Sequence, residues 1–475
     1  MSNVDWQGKH VTVAGLGVSG IPAARVLHGL GAVVTVVNDG DDERSRAQAE
    51  ELEAQGITVR LGDGATLPKS TELIVTTPGW KPDKPLFAAA AEAGVPVWGD
   101  VELAWRLRGR DGREPAPWLA VTGTNGKTTT VRMLASILEA AGLRTAAVGN
   151  IGVSLLDAVL GEETYDVLAV ELSSYQLHWS PSLRAHSAAV LNLAPDHLDW
   201  HGSMEAYVAD KGRIYEGNTV ACVYNVADPA TEDLVREADV EEGCRAIGFT
   251  LGAPGPSQLG VVDGILVDRA FVTNRQKQAQ ELAEVADVNP PAPHNIANAL
   301  AAAALARAFG VAPAAVRDGL RAFRPDPHRI EHVADVARVA YIDDSKATNT
   351  HAAEASLASY DPIVWIAGGL AKGATFDELV TGCAKRLRGV VLMGADRALI
   401  REALARHAPE VPVTELDRTD TGAMSEAVRE AARLARPGDT VLMAPACASM
   451  DMFVNYNKRG EAFADAVRTL AAESA

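Results

Sequence analysis

The chain lacks any apolar run long enough to cross a membrane. Its longest alanine-rich stretch, residues 297–308, is interrupted by Asn298 and Arg307, well short of the roughly 18 consecutive apolar residues a spanning helix needs. The opening residues Met1-Ser2-Asn3-Val4-Asp5 have neither a basic n-region nor an apolar h-region, so no secretion signal is expected and a cytoplasmic protein is. Cysteine is scarce. Cys222, Cys244, Cys383 and Cys447 are widely spaced and form no C-x-x-C pair, which argues against structural zinc and a disulfide framework and points to buried thiols. Positive charge is in deficit: 44 Lys and Arg face 62 Asp and Glu, for a net charge of −18. That balance speaks against nonspecific nucleic-acid binding, which needs clustered cations. Neither nucleic acid nor membrane is expected as a partner, and any anionic ligand must meet local positive charge beside glycine turns.

What is present begins with the stretch Val121-Thr122-Gly123-Thr124-Asn125-Gly126-Lys127-Thr128-Thr129-Thr130. It lies between a buried-strand pattern, Trp118 to Val121, and apolar residues at helical spacing, Met133, Leu134, Ile137 and Leu138. Strand, tight glycine loop and helix start together make a phosphate cradle, because backbone N–H groups and the helix N-terminus converge on an anion. Lys127 supplies a point charge reaching the β- and γ-phosphates, and the Thr128 hydroxyl can ligate the Mg²⁺ that bridges them. Val121 stands where the first glycine of the usual G-x-x-x-x-G-K-[ST] pattern would fall, so the loop is a shortened form of that motif.

With 475 residues the chain predicts about three domains. The strand His10 to Ala14 runs into Gly15-Leu16-Gly17-Val18-Ser19-Gly20 and then a helix pattern through Leu30. The next strand pattern, Ala32 to Val37, leads to Asp39, an acidic residue suited to a ribose hydroxyl. This is a dinucleotide fingerprint, although the same turn serves any diphosphate carried on a nucleoside. Strands at Leu73 to Thr76 and Val95 to Trp98 continue the alternation, the former ending in the turn Thr77-Pro78-Gly79. The polar, Gly- and Pro-rich stretch Arg108 to Pro117 reads as a linker, and Arg324-Pro325-Asp326-Pro327 as a second.

Between them, strands are expected at Thr145 to Val148, Val167 to Leu172, Ala188 to Leu193 and Val220 to Tyr224. A hairpin is expected over Gln258 to Arg269, turning at Asp263-Gly264, and a helix from His294 to Phe309. The acidic segment Glu281 to Asp287 reads as a solvated helix face. From Val336 onward, strands at Val339 to Ile342, Ile363 to Ala367, Val390 to Met393 and Thr440 to Ala444 alternate with helices in another βαβ domain. The three domains are not sequence repeats of one another.

Polar residues cluster at strand ends of the middle domain. Glu171 closes an apolar strand and suits Mg²⁺ or its water shell. Asp196-His197 follows Asn192-Leu193 and precedes Asp199 and His201, an acidic and imidazole cluster. Lys211, in the helix pattern Met204 to Tyr215, has the look of a surface residue.

In order and spacing, Gly123-Thr124-Asn125-Gly126-Lys127-Thr128, Gly149-Asn150-Ile151-Gly152, Glu171-Leu172-Ser173-Ser174, Asp196-His197-Leu198-Asp199-Trp200-His201 and Lys211 resemble the Mur ligases. The resemblance covers essentially the whole chain. The opening glycine turn, His328-Arg329, Asp343-Asp344-Ser345-Lys346-Ala347-Thr348-Asn349 and Pro445-Ala446-Cys447-Ala448-Ser449-Met450-Asp451 are similar to the branch that adds D-glutamate. The implied fold is α/β in three domains: a Rossmann-like UDP-substrate domain over 1–108, a central P-loop ATPase-like domain over 109–325 and a C-terminal Rossmann-like amino-acid domain over 326–475.

The implied reaction uses ATP to phosphorylate the alanine carboxylate of UDP-MurNAc-L-Ala, after which the amine of D-glutamate displaces the phosphate in a cytoplasmic step of peptidoglycan synthesis. A carboxylate is a poor electrophile until one oxygen becomes a good leaving group, and cations must screen the two anions that meet. By motif, Lys127, Asn150, His197 and Lys211 fall at catalytic positions, Gly123 to Thr129 with Arg329 and Asp344 at ATP contacts, and Thr128, Glu171, His197 and Lys211 at two Mg²⁺ sites. Lys211 matches a position where the family carries an N6-carboxylated lysine; an unmodified amine touching phosphate is the alternative. Val18, Ser19, Asp39, Thr77 and Gly79 match UDP-substrate contacts. Lys346, Thr348, Lys372, Ser449 and Tyr456 match the D-glutamate pocket, with Tyr456 standing where Phe is common. The C-terminal domain is expected to close over the central one in a monomer.

A folylpolyglutamate synthetase would lack the leading glycine-turn domain. An NAD-dependent oxidoreductase would leave Gly123 to Thr130 without a role, and a nonenzymatic nucleotide switch has no need of Lys211, Lys346 and Ser449 together.

Overall fold

The computed structural model describes residues 4–112 and 114–474. Three α/β layers are built on three sheets. The first comprises β1 (His10–Ala14), β2 (Val33–Asn38), β3 (Thr58–Leu61), β4 (Leu73–Thr76) and β5 (Val97–Gly99). All its pairings are parallel, in the order β3-β2-β1-β4-β5. Buried on both faces, β4 reads as continuous Leu-Ile-Val-Thr, as an interior parallel strand must. Helix Gly20–Gly29 packs close to the strand end because Gly20 has no Cβ: one placed there would lie 2.0 Å from the Gly15 carbonyl oxygen.

The second sheet holds β6 (Trp118–Thr122), β7 (Ala147–Gly149), β8 (Leu168–Glu171), β9 (Ser187–Val190), β10 (Ala221–Asn225), β11 (Arg245–Phe249), β12 (Gln258–Val262), β13 (Ile265–Asp268) and β14 (Gln280–Glu284). Its order is β14-β13-β12-β11-β10-β9-β6-β8-β7, so β6, which feeds the glycine loop, lies between β9 and β8. The hairpin forms as expected, with Asp263 and Gly264 both at positive φ (49° and 77°), the geometry of a type I′ turn.

The acidic segment 281–287 is not a helix face. It is the antiparallel edge strand β14 followed by a single 3-10 turn, Val285–Asp287. Leu282 and Ala283 pack into the core while Glu281 and Glu284 point outward. The register shift opposite, between Leu266 and Val267, puts two adjacent apolar residues inside and hides the alternation from a periodicity reading. Charge on an exposed edge also blocks pairing with another sheet.

The third sheet consists of β15 (Glu331–Val336), β16 (Val339–Asp343), β17 (Ile363–Gly368), β18 (Leu387–Met393), β19 (Val413–Glu415) and β20 (Thr440–Met443), ordered β15-β16-β20-β17-β18-β19. Only β15 pairs antiparallel. The strands unforeseen in the sequence, β3, β11, β14, β15 and β19, are short, charged or peripheral.

By compactness the chain divides into two units, Met1–Val288 with Ile296–Phe323, and Asn289–Asn295 with Arg324–Ala475. Within the first, an apolar cluster runs without a break from β1 and β2 through Trp98, Trp105 and Trp118 to β8 and β9. The glycine- and proline-rich stretch after Leu107 therefore joins two sheets that share a core. Glu102, fully buried, accepts from Ser182 N (3.0 Å) and Ser182 Oγ (2.5 Å) across this junction and pairs with Arg106.

The cysteine expectation needs correction. Cys222, Cys383 and Cys447 are buried, but Cys244 is only half-buried, and its sulfur lies 3.9 Å from that of Cys222. Parallel pairing of β10 with β11 brings together two residues far apart in sequence.

Candidate active site

The phosphate-type loop leaves β6 and enters helix Lys127–Ala140. Gly126 is left-handed (φ 83°), and a Cβ there would stand 2.4 Å from the Asn298 Oδ1. Only glycine suits both demands. The loop is clamped from the end of β9: Thr124 N donates to Asn192 O (2.9 Å), Asn125 N to Asn192 Oδ1 (2.8 Å), and Asn192 Nδ2 back to Asn125 O (3.1 Å). Thr124 Oγ1 accepts from Ala194 N (3.0 Å) and shares a hydrogen bond with the Tyr207 hydroxyl (2.9 Å). Lys127 Nζ lies back on the loop, donating to Gly123 O (2.8 Å) and Thr124 O (2.9 Å). Thr128 is half-buried at the helix start, whereas Thr129 is buried.

Three elements bring further groups to this loop. Glu171, at the end of β8, is buried; its Oε1 accepts from Asn150 Nδ2 (3.0 Å), while Oε2 has no hydrogen-bond partner among the described residues. An unpaired buried carboxylate oxygen is costly, and a cation is one group that could satisfy it. Lys211 contradicts its surface appearance: it is 2% exposed. Its helix, Met204–Gly212, ends before the expected Tyr215 and gives way to a 3-10 turn, Arg213–Tyr215. The ammonium donates to Gly123 O (2.9 Å) and Thr122 Oγ1 (3.4 Å) and lies 4.8 Å over the Tyr207 ring. Burial first, then the Lys127 charge, hold its pKa well below the usual lysine value. His197 occupies a left-handed position (φ 55°) with its ring 4.9 Å from Tyr175. Desolvation lowers its pKa, the two lysines adding to this and Asp196 and Asp199 opposing it, so the imidazole is held toward the neutral, ligating form.

Asp210 carries a network the sequence did not reveal. Its carboxylate meets His178 Nδ1 (2.9 Å), His201 Nδ1 (3.0 Å) and Arg213 Nε (3.2 Å), while His201 Nε2 meets Ser174 Oγ (2.9 Å). Burial would raise the Asp210 pKa, but the His178 and His201 hydrogen bonds outweigh it and bring the value down to about 2. His201 is thus tied into structure one residue before Lys211. Asn298 was equally hidden: in sequence it only interrupts an alanine run, yet its side chain faces Gly126.

In the first sheet, Val18, Ser19, Asp39, Thr77 and Gly79 lie in loops following β1, β2 and β4. Val18 is 90% exposed. Thr77 packs against Gly15, where a Cβ would come within 2.7 Å of its Oγ1. The acidic loop is internally balanced: Asp39 pairs with Lys84, Asp41 with Arg46 (2.8 Å), and Asp42 caps helix Glu43–Glu53 through Ser45 N (2.7 Å). Lys84 also lies 4.7 Å over the Trp80 ring.

In the second unit, Asp344, Lys346 and Thr348 follow β16, Lys372 follows β17, and Ser449 follows β20. These three strands are adjacent and parallel in the order β16-β20-β17, so their loops share one edge of the sheet. Lys346 Nζ lies 4.1 Å over the Tyr456 ring. Asp344 is buried, its backbone N donating to Met443 O (2.9 Å) and its carboxylate accepting from Ile330 N (3.3 Å) and Ser356 Oγ. Burial raises its pKa to about 6 against the Ser356 hydrogen bond and the Arg329 charge. Arg329 Nε lies 3.7 Å from Asp326. No helix among the described residues is long and apolar enough to cross a membrane.

Three family profiles match the chain in succession: a Mur ligase MurD-like N-terminal domain over residues 9–99, a Mur ligase middle domain over 121–306, and a Mur ligase glutamate ligase domain over 328–447. A UDP-N-acetylmuramoylalanine--D-glutamate ligase of Streptomyces avermitilis is 87% identical over 468 residues, covering 98% of this chain and 100% of the relative. One from Thermobifida fusca is 59% identical over 98% of this chain and 100% of its own. Among solved structures, a pseudomurein peptide ligase type C from Methanothermus fervidus shares the fold with a TM-score of 0.58, at 18% identity, over 98% of this chain and 100% of that one. Identity of this extent, over all three profiles in order, means that the chain belongs to the Mur ligase family.

Proposed function

We propose that this protein is an ATP-dependent ligase that joins D-glutamate to UDP-N-acetylmuramoyl-L-alanine, releasing ADP and phosphate through an acyl-phosphate intermediate. The observation that carries the reading is the convergence of Lys127, Lys211 and Glu171 on one glycine loop at a helix N-terminus, within a chain 87% identical to a ligase of that name.

ATP lies with its phosphates against the N–H groups of residues 123–129 and the positive end of helix Lys127–Ala140. Lys127 turns from the loop carbonyls to the γ-phosphate. The substrate carboxylate attacks that phosphorus, ADP departs, and the D-glutamate nitrogen then attacks the acyl carbon. The tetrahedral intermediate collapses with expulsion of phosphate.

Three of the four donors offer the oxygen ligands that Mg²⁺ takes, His197 adding an imidazole nitrogen: Thr128 and the partnerless Glu171 Oε2 would hold one ion, His197 and a carboxylated Lys211 a second. Bound there, Mg²⁺ screens the negative charges that must approach one another. Supporting the carbamate is the depressed basicity of Lys211, since only a neutral amine adds to CO₂, losing a proton as the N–C bond forms. Asn150 orients Glu171.

Val18, Ser19, Asp39, Thr77 and Gly79 hold the UDP-substrate in a domain over 1–108. Arg329 and Asp344 contact ATP from a domain over 326–475, whose Lys346, Thr348, Lys372, Ser449 and Tyr456 form the D-glutamate pocket. The ATP domain spans 109–325. The protein acts as a monomer in the cytoplasm.

The test is phosphate release from ATP, with products identified by mass spectrometry, using UDP-MurNAc-L-Ala with D-Glu, L-Glu, L-Lys or meso-diaminopimelate in turn. Turnover that requires D-Glu is expected; turnover with no amino acid, or with another one in preference, overturns the reading.

A further inference from the structure

Arg459 is 1% exposed, one of the largest fully buried side chains in the molecule. It sits in the first turn of helix Tyr456–Ser474. Its guanidinium Nε donates to Ser345 Oγ (3.0 Å), Nη2 to Ser345 O (2.8 Å) and Nη1 to Cys447 O (3.1 Å). Ser345, itself fully buried, donates its own hydroxyl to Tyr456 O (2.7 Å). Among the described residues no carboxylate forms an ion pair with Arg459. Its hydrogen bonds to Ser345 and Cys447 go to neutral oxygens, while the charges of Asp451, Asp343 and Asp344 act on it from nearby. Burying a cation is expensive even with those charges near, and the planar guanidinium fork is what lets one side chain bond Ser345 and Cys447 together.

The segments that it ties are informative. One is the loop after β16, between Asp344 and Lys346; another is the loop after β20, two residues before Ser449; the third is the helix start at Tyr456. Lys346 and Tyr456, on two of these, are in cation–π contact. The loop after β20 is laced in turn to the one carrying Lys372, through paired hydrogen bonds between Leu370 and Ala448 (2.9 Å each).

We propose that Arg459 is the positioning residue of the amino-acid pocket: by holding the loop after β16, the loop after β20 and the helix start together, it sets the relative placement of Lys346, Ser449 and Tyr456. The inference rests on the reading of those three residues as D-glutamate contacts. Asp344, whose charge also acts on Arg459, is held in place by bonds of its own to Met443, Ile330 and Ser356. Loss of Arg459 should therefore weaken amino-acid binding without weakening ATP binding.

Steady-state kinetics of Arg459→Met and Arg459→Lys in the full chain test this. Arg459→Met should raise the KM for D-glutamate by about 30-fold or more, while the KM for ATP and kcat at saturating D-glutamate stay within about threefold. By displacing Lys346 it should also reduce the preference for D-glutamate over D-glutamine, which a loss of overall stability alone would not do. Arg459→Lys, keeping charge without the fork, should fall between. A D-glutamate KM within twofold of wild type overturns the proposal, as does a parallel rise in every KM with a lowered melting temperature. Ser345→Ala, which keeps the arginine but removes the hydroxyl, should raise the same KM several-fold; if none of the three variants folds, the residue is structural and the proposal fails. The wild-type amino-acid panel judges the functional reading independently: should another amino acid be the substrate, the same KM comparison made with it still decides the role of Arg459.

Discussion

The Lys211 ammonium lies 2.9 Å from the carbonyl oxygen of Gly123, so a residue from helix Met204–Gly212 is docked on the back of the phosphate loop. A buried lysine of depressed basicity in that position can either take up CO₂ or donate to phosphate, and the two can be told apart. Lys211→Ala should lower kcat by at least about a thousandfold with the fold intact by circular dichroism. Stripping CO₂ from wild-type solutions should reduce activity, and bicarbonate should restore it. Activity indifferent to CO₂ would leave the lysine acting as an unmodified amine.

Gly126→Ala places a methyl group on the Asn298 side chain in a left-handed backbone. The expected result is a rise in the KM for ATP of about a hundredfold, from strain of roughly 1–3 kcal/mol plus displacement of the loop. Pairing it with Asn298→Ala, which clears the space but not the backbone strain, should recover only part of the loss. Full recovery would show that the left-handed conformation contributes nothing.

Asp344 should make the second unit less stable as pH rises. Its folded pKa, about 6, lies above the ordinary carboxylate value because burial disfavours the charge. Between about pH 4 and 6 the folded state keeps a proton that the unfolded state gives up. The stabilisation is complete below that window and is lost as pH rises through it, to the extent of about 3 kcal/mol. Urea unfolding of Asp344→Asn against wild type checks the sign: the variant should gain relative stability from pH 4 to pH 7. A constant difference would contradict it.

Glu102→Ala should destabilise the first unit by about 3 kcal/mol. The carboxylate is fully buried, and its removal leaves the Ser182 N–H and the Arg106 guanidinium without their acceptor. Calorimetry reads the loss, and a shift of less than 1 °C in the melting temperature would count against it.

Thiol labelling should distinguish the cysteines. The Cys222 hydrogen bond lowers the Cys244 pKa, and Cys244 is the only one of the four that is not buried. Burial pushes Cys383 and Cys447 up to about 12. One equivalent of a chromogenic disulfide reagent should react quickly in the native protein and vanish in Cys244→Ser.

Much of this protein was legible in one dimension. Alternating strand and helix patterns determined the three largely parallel α/β layers, because an interior parallel strand such as β4, β6 or β17 is apolar throughout. Glycine spacing marked Gly15 to Gly20 and Gly123 to Gly126 as loops, since positive φ and close approach leave few other choices. The short or charged strands β3, β14, β15 and β19 were not legible, since one-sided burial and a register shift erase the alternation. Tertiary structure alone decided that Lys211 is inside, that Asp210 joins His178 to His201, that Cys222 meets Cys244, and that Arg459 ties two loops to a helix start. Sequence records which residues are polar; their desolvation and their partners come from segments far along the chain, and the free energy of a buried charge depends on both.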